Sequence, residues 1–238
     1  MNRLFLFIAL AFSCVTAMRA QSTQHHVVNV GDFTHLRVVN AINVDYKSSP
    51  DSAGMAVFDA PVDLVNAIIF YNNNKGKLSI ELDIMDINTK TIPTVTVYSR
   101  FLTNIENVAD STVRAFNVNA GPKFKARLEG NGRLSLRGID TGEVQATVFT
   151  GRGQLAISGR CDKASLSTSG PCAIQADELV ASEVSATITG PGVIGCHARD
   201  MLSVKGLLGK GTVYYRGKPT IKNRTLGVKV QPIDQSEQ

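Results

Sequence analysis

Three aspartates, Asp140, Asp162 and Asp200, recur at nearly the same place in successive stretches of about twenty residues. Stacked on neighbouring strands, such a column is raw material for glycosidic cleavage. That chemistry needs two acids facing each other across the substrate, with one pKa raised. The column is broken, because the stretch between Asp162 and Asp200 carries Val180 there, with Asp177 and Glu178 two or three residues early. Each acid also precedes a short apolar run at a corner, where an Asp side chain commonly satisfies turn backbone groups. The expectation is a turn role for these acids and no catalytic residue.

Other chemistries find less support. His25, His26, His35 and His197 are scattered, and neither His-x-x-x-His nor Cys-x-x-Cys spacing occurs, so no metal or other cofactor is expected. No Gly-x-Ser-x-Gly nucleophile turn is present. The recurring Gly-x-Gly pairs lack the third glycine and the helix that cradle a phosphate. The chain reads as a non-enzyme.

Binding chemistry is concentrated near the end. Lys205, Lys210, Arg216, Lys218, Lys222, Arg224 and Lys229 are unopposed by any acid between Met201 and Pro232. Tyr214 and Tyr215 must point to opposite sides of one strand, so one of them is available for stacking on a sugar. Tyr214, Tyr215, Arg216, Lys218, Lys222 and Arg224 are therefore the candidate binding residues. Their partners would be envelope or cell-surface glycan, lipid head groups, or another protein. The competing reading is a charged cap that stops the end of a repeat array from self-association. The formal net charge of +5 is mild, and no basic stripe alternates with aromatics, so nucleic acid is not an expected partner.

The elements that must position these residues announce themselves through glycine. Gly130-Asn131-Gly132, Gly151-Arg152-Gly153, Gly170-Pro171-Cys172, Gly190-Pro191-Gly192 and Gly209-Lys210-Gly211 begin 21, 19, 20 and 19 residues apart. After each turn, apolar residues stand two apart: Leu134 and Leu136, Leu155 and Ile157, Ile174 and Ala176, Ile194 and Cys196, Val213 and Tyr215. A second alternating set closes each copy, as in Val144-x-Ala146-x-Val148 and Val184-x-Ala186-x-Ile188. Spacing of two places both residues on one strand face. An imperfect earlier copy, Asp110-Ser111-Thr112-Val113 with Phe124, Ala126 and Leu128, brings the count to about six turns. The expected fold is all-β: a right-handed parallel β-helix-like solenoid with coils of about twenty residues. A leucine-rich repeat is disfavoured by Ile139 and Arg160 where its Asn belongs. An antiparallel meander or sandwich stays open as the alternative.

The front of the chain predicts strands over His35–Tyr46 (single or bent), Met55–Phe58, Lys77–Asp83 and Thr94–Tyr98. One short helix is predicted over Pro61–Tyr71. Residues 21–27 read as a polar leader. Residues 1–20 read as an export signal: Arg3, the apolar run Leu4–Cys14, and small residues up to Ala20. The run is too short to span a membrane, and no later stretch approaches the required about eighteen apolar residues. Lipid attachment at Cys14 is the alternative anchor. The expected organisation is a β-rich part over 28–103, repeats over 104–230 and a polar tail over 231–238. Cys161, Cys172 and Cys196 would remain after cleavage, an odd set in which spacing selects no bridge.

Two motifs extend this reading. Asn40-Ala41-Ile42-Asn43-Val44 at the front and Gly209-Lys210-Gly211-Thr212-Val213-Tyr214-Tyr215-Arg216-Gly217-Lys218-Pro219 at the close bracket the serial strand–Gly-x-Gly turns. Together they resemble the putative auto-transporter adhesin, head GIN domain family of exported bacterial proteins, over about Phe33–Val230. Ala41 replaces the family's Gly, and Arg133, Gln154, Ala173, Val193 and Thr212 stand where members often carry Asp. The resemblance thus implies no acidic ion ladder here. It implies an exported, adhesin-like β-helix of a Gram-negative periplasm or cell surface, with a structural or binding role. Fold likeness names no ligand, so two alternatives stay open on the same scaffold. One is a polysaccharide lyase or hydrolase; the other is a periplasmic glycan- or lipid-binding protein.

Overall fold

The computed structural model describes residues 23–73, 75–83, 92–207 and 210–233. In chain order it contains β1 (Gln24–Asn29), β2 (His35–Val39), β3 (Asn43–Ser48), β4 (Met55–Ala60), the single helical turn α1 (Val62–Val65), β5 (Ile68–Asn73), β6 (Lys77–Leu82) and β7 (Thr94–Ser99). Then follow β8 (Asn104–Val108), β9 (Thr112–Phe116) and β10 (Lys123–Glu129). Four long bent strands come next: β11 (Arg133–Phe149), β12 (Gln154–Ser169), β13 (Ala173–Thr189) and β14 (Val193–Leu207). The last are β15 (Thr212–Arg216), β16 (Thr220–Thr225) and β17 (Lys229–Pro232). The export signal expected over 1–20 and the end of the polar tail lie outside the described residues.

The alternating apolar residues bury one face of most strands, and the chain satisfies its backbone by pairing each coil with the next. Two broad flanks result. Flank A stacks β6, β2, β8, β10, the second arms of β11–β14 (143–149, 163–169, 183–189, 201–207) and β16, all parallel. Flank B stacks β7, β3, β9, the first arms of the same bent strands (133–137, 154–157, 173–176, 193–197), β15 and β17, also parallel. A narrow third side joins the arms, where 139–141, 159–161 and 179–181 pair in turn. Partners lie one coil apart, as in Leu134↔Leu155 and Val144↔Ala164, so the solenoid stands and the antiparallel meander does not. Leu134, Leu155, Ile174, Ile194 and Val213 form one inward column, each almost wholly buried. Burial of such a side chain contributes about 1.5–3 kcal/mol.

The front departs from simple order. The β2–β3 rung is sandwiched between β6–β7 and β8–β9, so the chain lays its first coil and later covers both sides of it. Tyr46 is fully buried there; its hydroxyl lies 3.0 Å from Ser99 Oγ, and its ring meets Phe33 edge-on. Asn40 turns β2 into β3 with φ of 66° and donates to the Leu82 carbonyl at 3.0 Å.

Two expectations for this region are corrected. The helix predicted over Pro61–Tyr71 is confined to Val62–Val65, and the chain then extends into β5. β6 is the outermost rung of flank A, and β5 covers its free edge antiparallel, from Ile68↔Leu82 to Asn73↔Lys77. That tertiary demand overrides helical spacing. The supposed polar leader likewise contributes β1, which pairs antiparallel with β4 while His26 stacks on Phe58.

The glycine corners stack directly. Gly130 has φ of +99°, and the Asn131 N–H donates to Asp110 Oδ1 of the preceding corner at 2.9 Å. The Arg152 N–H repeats the bond to Asn131 Oδ1 at 3.0 Å. These bonds hold the Asp110 carboxyl below its ordinary range, first through the Asn131 backbone and then its side chain. A Cβ on Gly132 would meet the Ala109 carbonyl oxygen at 2.2 Å and that of Ser111 at 2.6 Å. Gly132→Ala is therefore expected to cost about 2–4 kcal/mol, because backbone must move. Gly121→Ala supplies the contrast: φ is +68° but nothing lies within 4 Å, so only about 1–2 kcal/mol of left-handed strain is expected. Denaturant midpoints of the two variants test this ordering.

Candidate binding site

The six expected binding residues do not form one patch. On β15, alternation turns Tyr214 and Arg216 outward on flank B, while Tyr215 packs against the hydrophobic core. Lys218 follows in the connecting turn, and β16 directs Lys222 and Arg224 outward on flank A. In register, Lys222 neighbours Ser203 and Arg224 neighbours Lys205. Among the described residues Lys218, Lys222 and Arg224 are exposed and have no ionic partner, whereas Arg216 Nη2 lies 3.5 Å from Asp177 Oδ2.

The aspartate column is not a column. The register aligns Asp140 with Arg160 and Val180, and leaves Asp162 beside Gly142. Among the described residues the partner of the Asp140 carboxylate is Arg160 and not turn backbone, unlike the turn role expected. Its carboxylate accepts from Arg160 Nε at 3.0 Å and Nη2 at 2.5 Å. That contact holds the Asp140 pKa below its ordinary value, the opposite of what a glycosidic general acid requires. Asp140, Arg160, Asp162 and Arg199 line a hollow of about 590 Å³ on the third side. Arg199 is held there by the Ser182 hydroxyl.

Flank B carries a feature the period concealed. Between β13 and β14 the register jumps from Ala176↔Cys196 to Val180↔His197, so residues 177–179 have no partner on β14, while toward β12 only one residue is extra and Glu178 and Leu179 pair with Ser158 and Gly159. Leu179 is buried and anchors this bulge, while Asp177 and Glu178 are carried outward beside a hollow of about 340 Å³. Ser135, Arg137, Ser158 and Gln175 complete its rim. The early position of the two acids in the sequence is the trace of this insertion, and composition alone gave it no meaning.

Flank A is instead regular. Ser165, Ser167 and Ser169 lie in register beside Ser185, Thr187 and Thr189, bordered by the Lys123–Glu143 and Lys163–Glu183 pairs at 2.8 and 3.6 Å. The histidines are dispersed: His25 pairs with Asp59 at 2.8 Å and His35 lies 3.0 Å from Glu106. Among the described residues no group of His, Cys, Asp or Glu could hold a metal ion, and no helix is long and apolar enough to cross a membrane. Cys161, Cys172 and Cys196 are free and buried. Burial pushes the Cys161 thiol up to about 11, aided by Asp162, and the Cys196 thiol up to about 12, aided by Asp177.

Residues 32–219 match the model of the family described as putative auto-transporter adhesin, head GIN domain, and the chain belongs to that family. No curated protein matches it. Among solved structures it is similar to a putative adhesin from Bacteroides fragilis NCTC 9343, at 20% identity and TM-score 0.80, over 90% of this chain and 98% of that one. A putative adhesin from Parabacteroides merdae ATCC 43184 is similar at 17% identity and TM-score 0.70, with the same coverage of both chains. A putative lipid binding protein from Parabacteroides distasonis ATCC 8503 is similar at 16% identity and TM-score 0.71, again over 90% and 98%. These likenesses establish the shared fold.

Two outcomes follow from the ionisable groups. Because folding lowers the Asp140 pKa, its contribution to stability is full above the unfolded value of about 3.9 and lost as pH falls through the folded value. The thermal midpoint of Asp140→Asn should therefore lie below wild type at neutral pH, and the gap should close in strong acid. The three thiols, buried and protonated at neutral pH, should resist alkylation in the native protein and react together on unfolding, as read by mass spectrometry.

Proposed function

We propose that this member of the head GIN domain family is exported to the periplasm or cell surface. There it acts as an adhesin-like binding protein without catalytic activity, and its C-terminal end engages anionic polymer. The observation that carries the reading is the set of outward cations on the last rung of flank A. Arg224 stands beside Lys205 and Lys222 beside Ser203, both follow Lys218, and no described residue neutralises them. A rigid strand holds these charges at fixed spacing, which favours a repetitive polyanion over a single small anion. Uronate or sulfate groups of a glycan fit this chemistry. Phospholipid head groups share it, and one protein of the same fold is described as a putative lipid binding protein.

Immobilised polyuronate and vesicles containing anionic phospholipid separate the two sources of charge. Wild type is expected to bind the polysaccharide in a salt-sensitive manner. The triple substitution of Lys218, Lys222 and Arg224 by Ser should weaken binding about tenfold, three contacts of roughly 0.5 kcal/mol each amounting to one decade. Equal binding by the triple variant overturns the assignment, and binding to vesicles alone transfers it to lipid. Release of reducing ends from the bound polysaccharide would overturn the non-enzymatic reading. Fractionation with N-terminal sequencing tests export, with the mature chain expected to begin at Gln21.

A further inference from the structure

We propose that the hollow on flank B is a second, separate subsite that binds a neutral, extended glycan chain lying along the solenoid axis. The inference rests on the adhesin-like reading of the whole protein but not on the cationic end. It starts from the bulge in β13. Strand insertions re-aim side chains, and here residues 177–179 have no partner on β14, which frees Asp177 and Glu178 on that side while Leu179 keeps its register with Gly159 of β12 and its side chain in the core. Across the hollow stands Arg137, with Ser135, Ser158 and Gln175 between.

The floor continues beyond the hollow toward the C-terminal end. Ala156 pairs with Gln175, Gln175 with Gly195, and Gly195 with Tyr214. Gly195 is not there for its backbone. Its φ lies outside the left-handed region, and an added Cβ would meet only Asp177 at 3.6 and 3.8 Å and the Ile174 carbonyl oxygen at 3.9 Å, ordinary contacts. What the glycine supplies is room for the Asp177 side chain to lie against the sheet. Gly195 is also the β14 partner of Tyr214, which is 39% exposed. Arg216, one strand step on, reaches back to Asp177 at 3.5 Å.

The ligand class follows from this inventory. Two acids face two guanidinium groups, so the trough has little net charge and offers no preference for a polyanion. Carboxylate, guanidinium and amide groups in one row hydrogen-bond vicinal hydroxyls as paired acceptors and donors. An exposed tyrosine ring offers a flat apolar surface for the C–H face of a sugar. From Ser135 on β11 to Tyr214 on β15 the row crosses four rung steps, about 19 Å at 4.8 Å each. A row of that length on one broad flank suits an internal segment of a chain better than a terminal sugar.

Titration with neutral glucan, xylan, mannan and galactan oligosaccharides at high salt, where the cationic end is screened, tests the proposal. At least one of them should bind, with an affinity insensitive to further salt. Gly195→Gln, which fills the floor where a Cβ is tolerated, and Tyr214→Ala should each lower that affinity about tenfold while leaving the thermal midpoint near wild type. The triple Ser variant at Lys218, Lys222 and Arg224 should bind the neutral chain as wild type does. Failure of the cationic end alone is thus distinguishable from failure of the trough. If no neutral chain binds, or if Gly195→Gln binds it undiminished, the subsite does not exist.

Discussion

Parallel pairing of each coil with its neighbour one turn away is the constraint on which everything else depends. A strand within the stack has both edges satisfied by copies of itself, so the fold needs no sequence-specific partner, only a constant coil length. Constancy then selects residues. Inward columns must accept similar side chains stacked about 4.8 Å apart, hence the recurring Leu, Ile, Val and Ala. The corners must bring backbone against backbone, and Gly132 lies so close to the Ala109 and Ser111 carbonyls that no side chain fits. Stacking also explains why the middle residue of a corner is not free everywhere: Asp110, and Asn131 of the first Gly-x-Gly turn, each accept the N–H of the next corner.

Much of this architecture was legible because repetition converts tertiary contacts into sequence spacing. Leu134 and Leu155 touch across coils, and their separation is the period itself. Where the chain stops repeating, legibility fails for definite reasons. Ile68–Asn73 carries apolar residues at helical spacing, yet the unpaired edge of β6 draws it into a strand. Gln24–Asn29 looks solvated, yet the edge of β4 supplies its hydrogen bonds. The interleaving of β2–β3 between later rungs leaves no local mark at all, since each strand alternates in the same way wherever it sits in the stack.

The site residues divide along the same line. Tyr214 and Tyr215 were assigned opposite directions by strand alternation, and the structure turns one outward and one into the core. Alternation could not reveal that Lys222 and Arg224 occupy a different flank from Tyr214 and Arg216, because a corner lies between them. The aspartates misled for a related reason. Counting residues from each glycine assumes equal coils, but β11 and β13 each carry an extra residue relative to β12, so equal offsets do not mean adjacent positions. Asp140 consequently meets Arg160 instead of another acid.

That failure of superposition bears on where binding chemistry can arise. A residue in register has like neighbours above and below, and its side chain tends to be consumed by them: Lys123 by Glu143, Lys163 by Glu183, Arg114 by Asp45. Regularity therefore produces flat flanks and neutralised charges. A coil with extra residues breaks the column, leaves residues 177–179 without partners on β14, and borders a hollow lined by β11, β12 and β13. The last rung breaks it differently, because its outward cations have a neighbour on one side only. In a ladder fold the repeats build the wall, and the β13 bulge and the terminal strand, two places where repetition lapses, are where side chains keep capacity for a ligand.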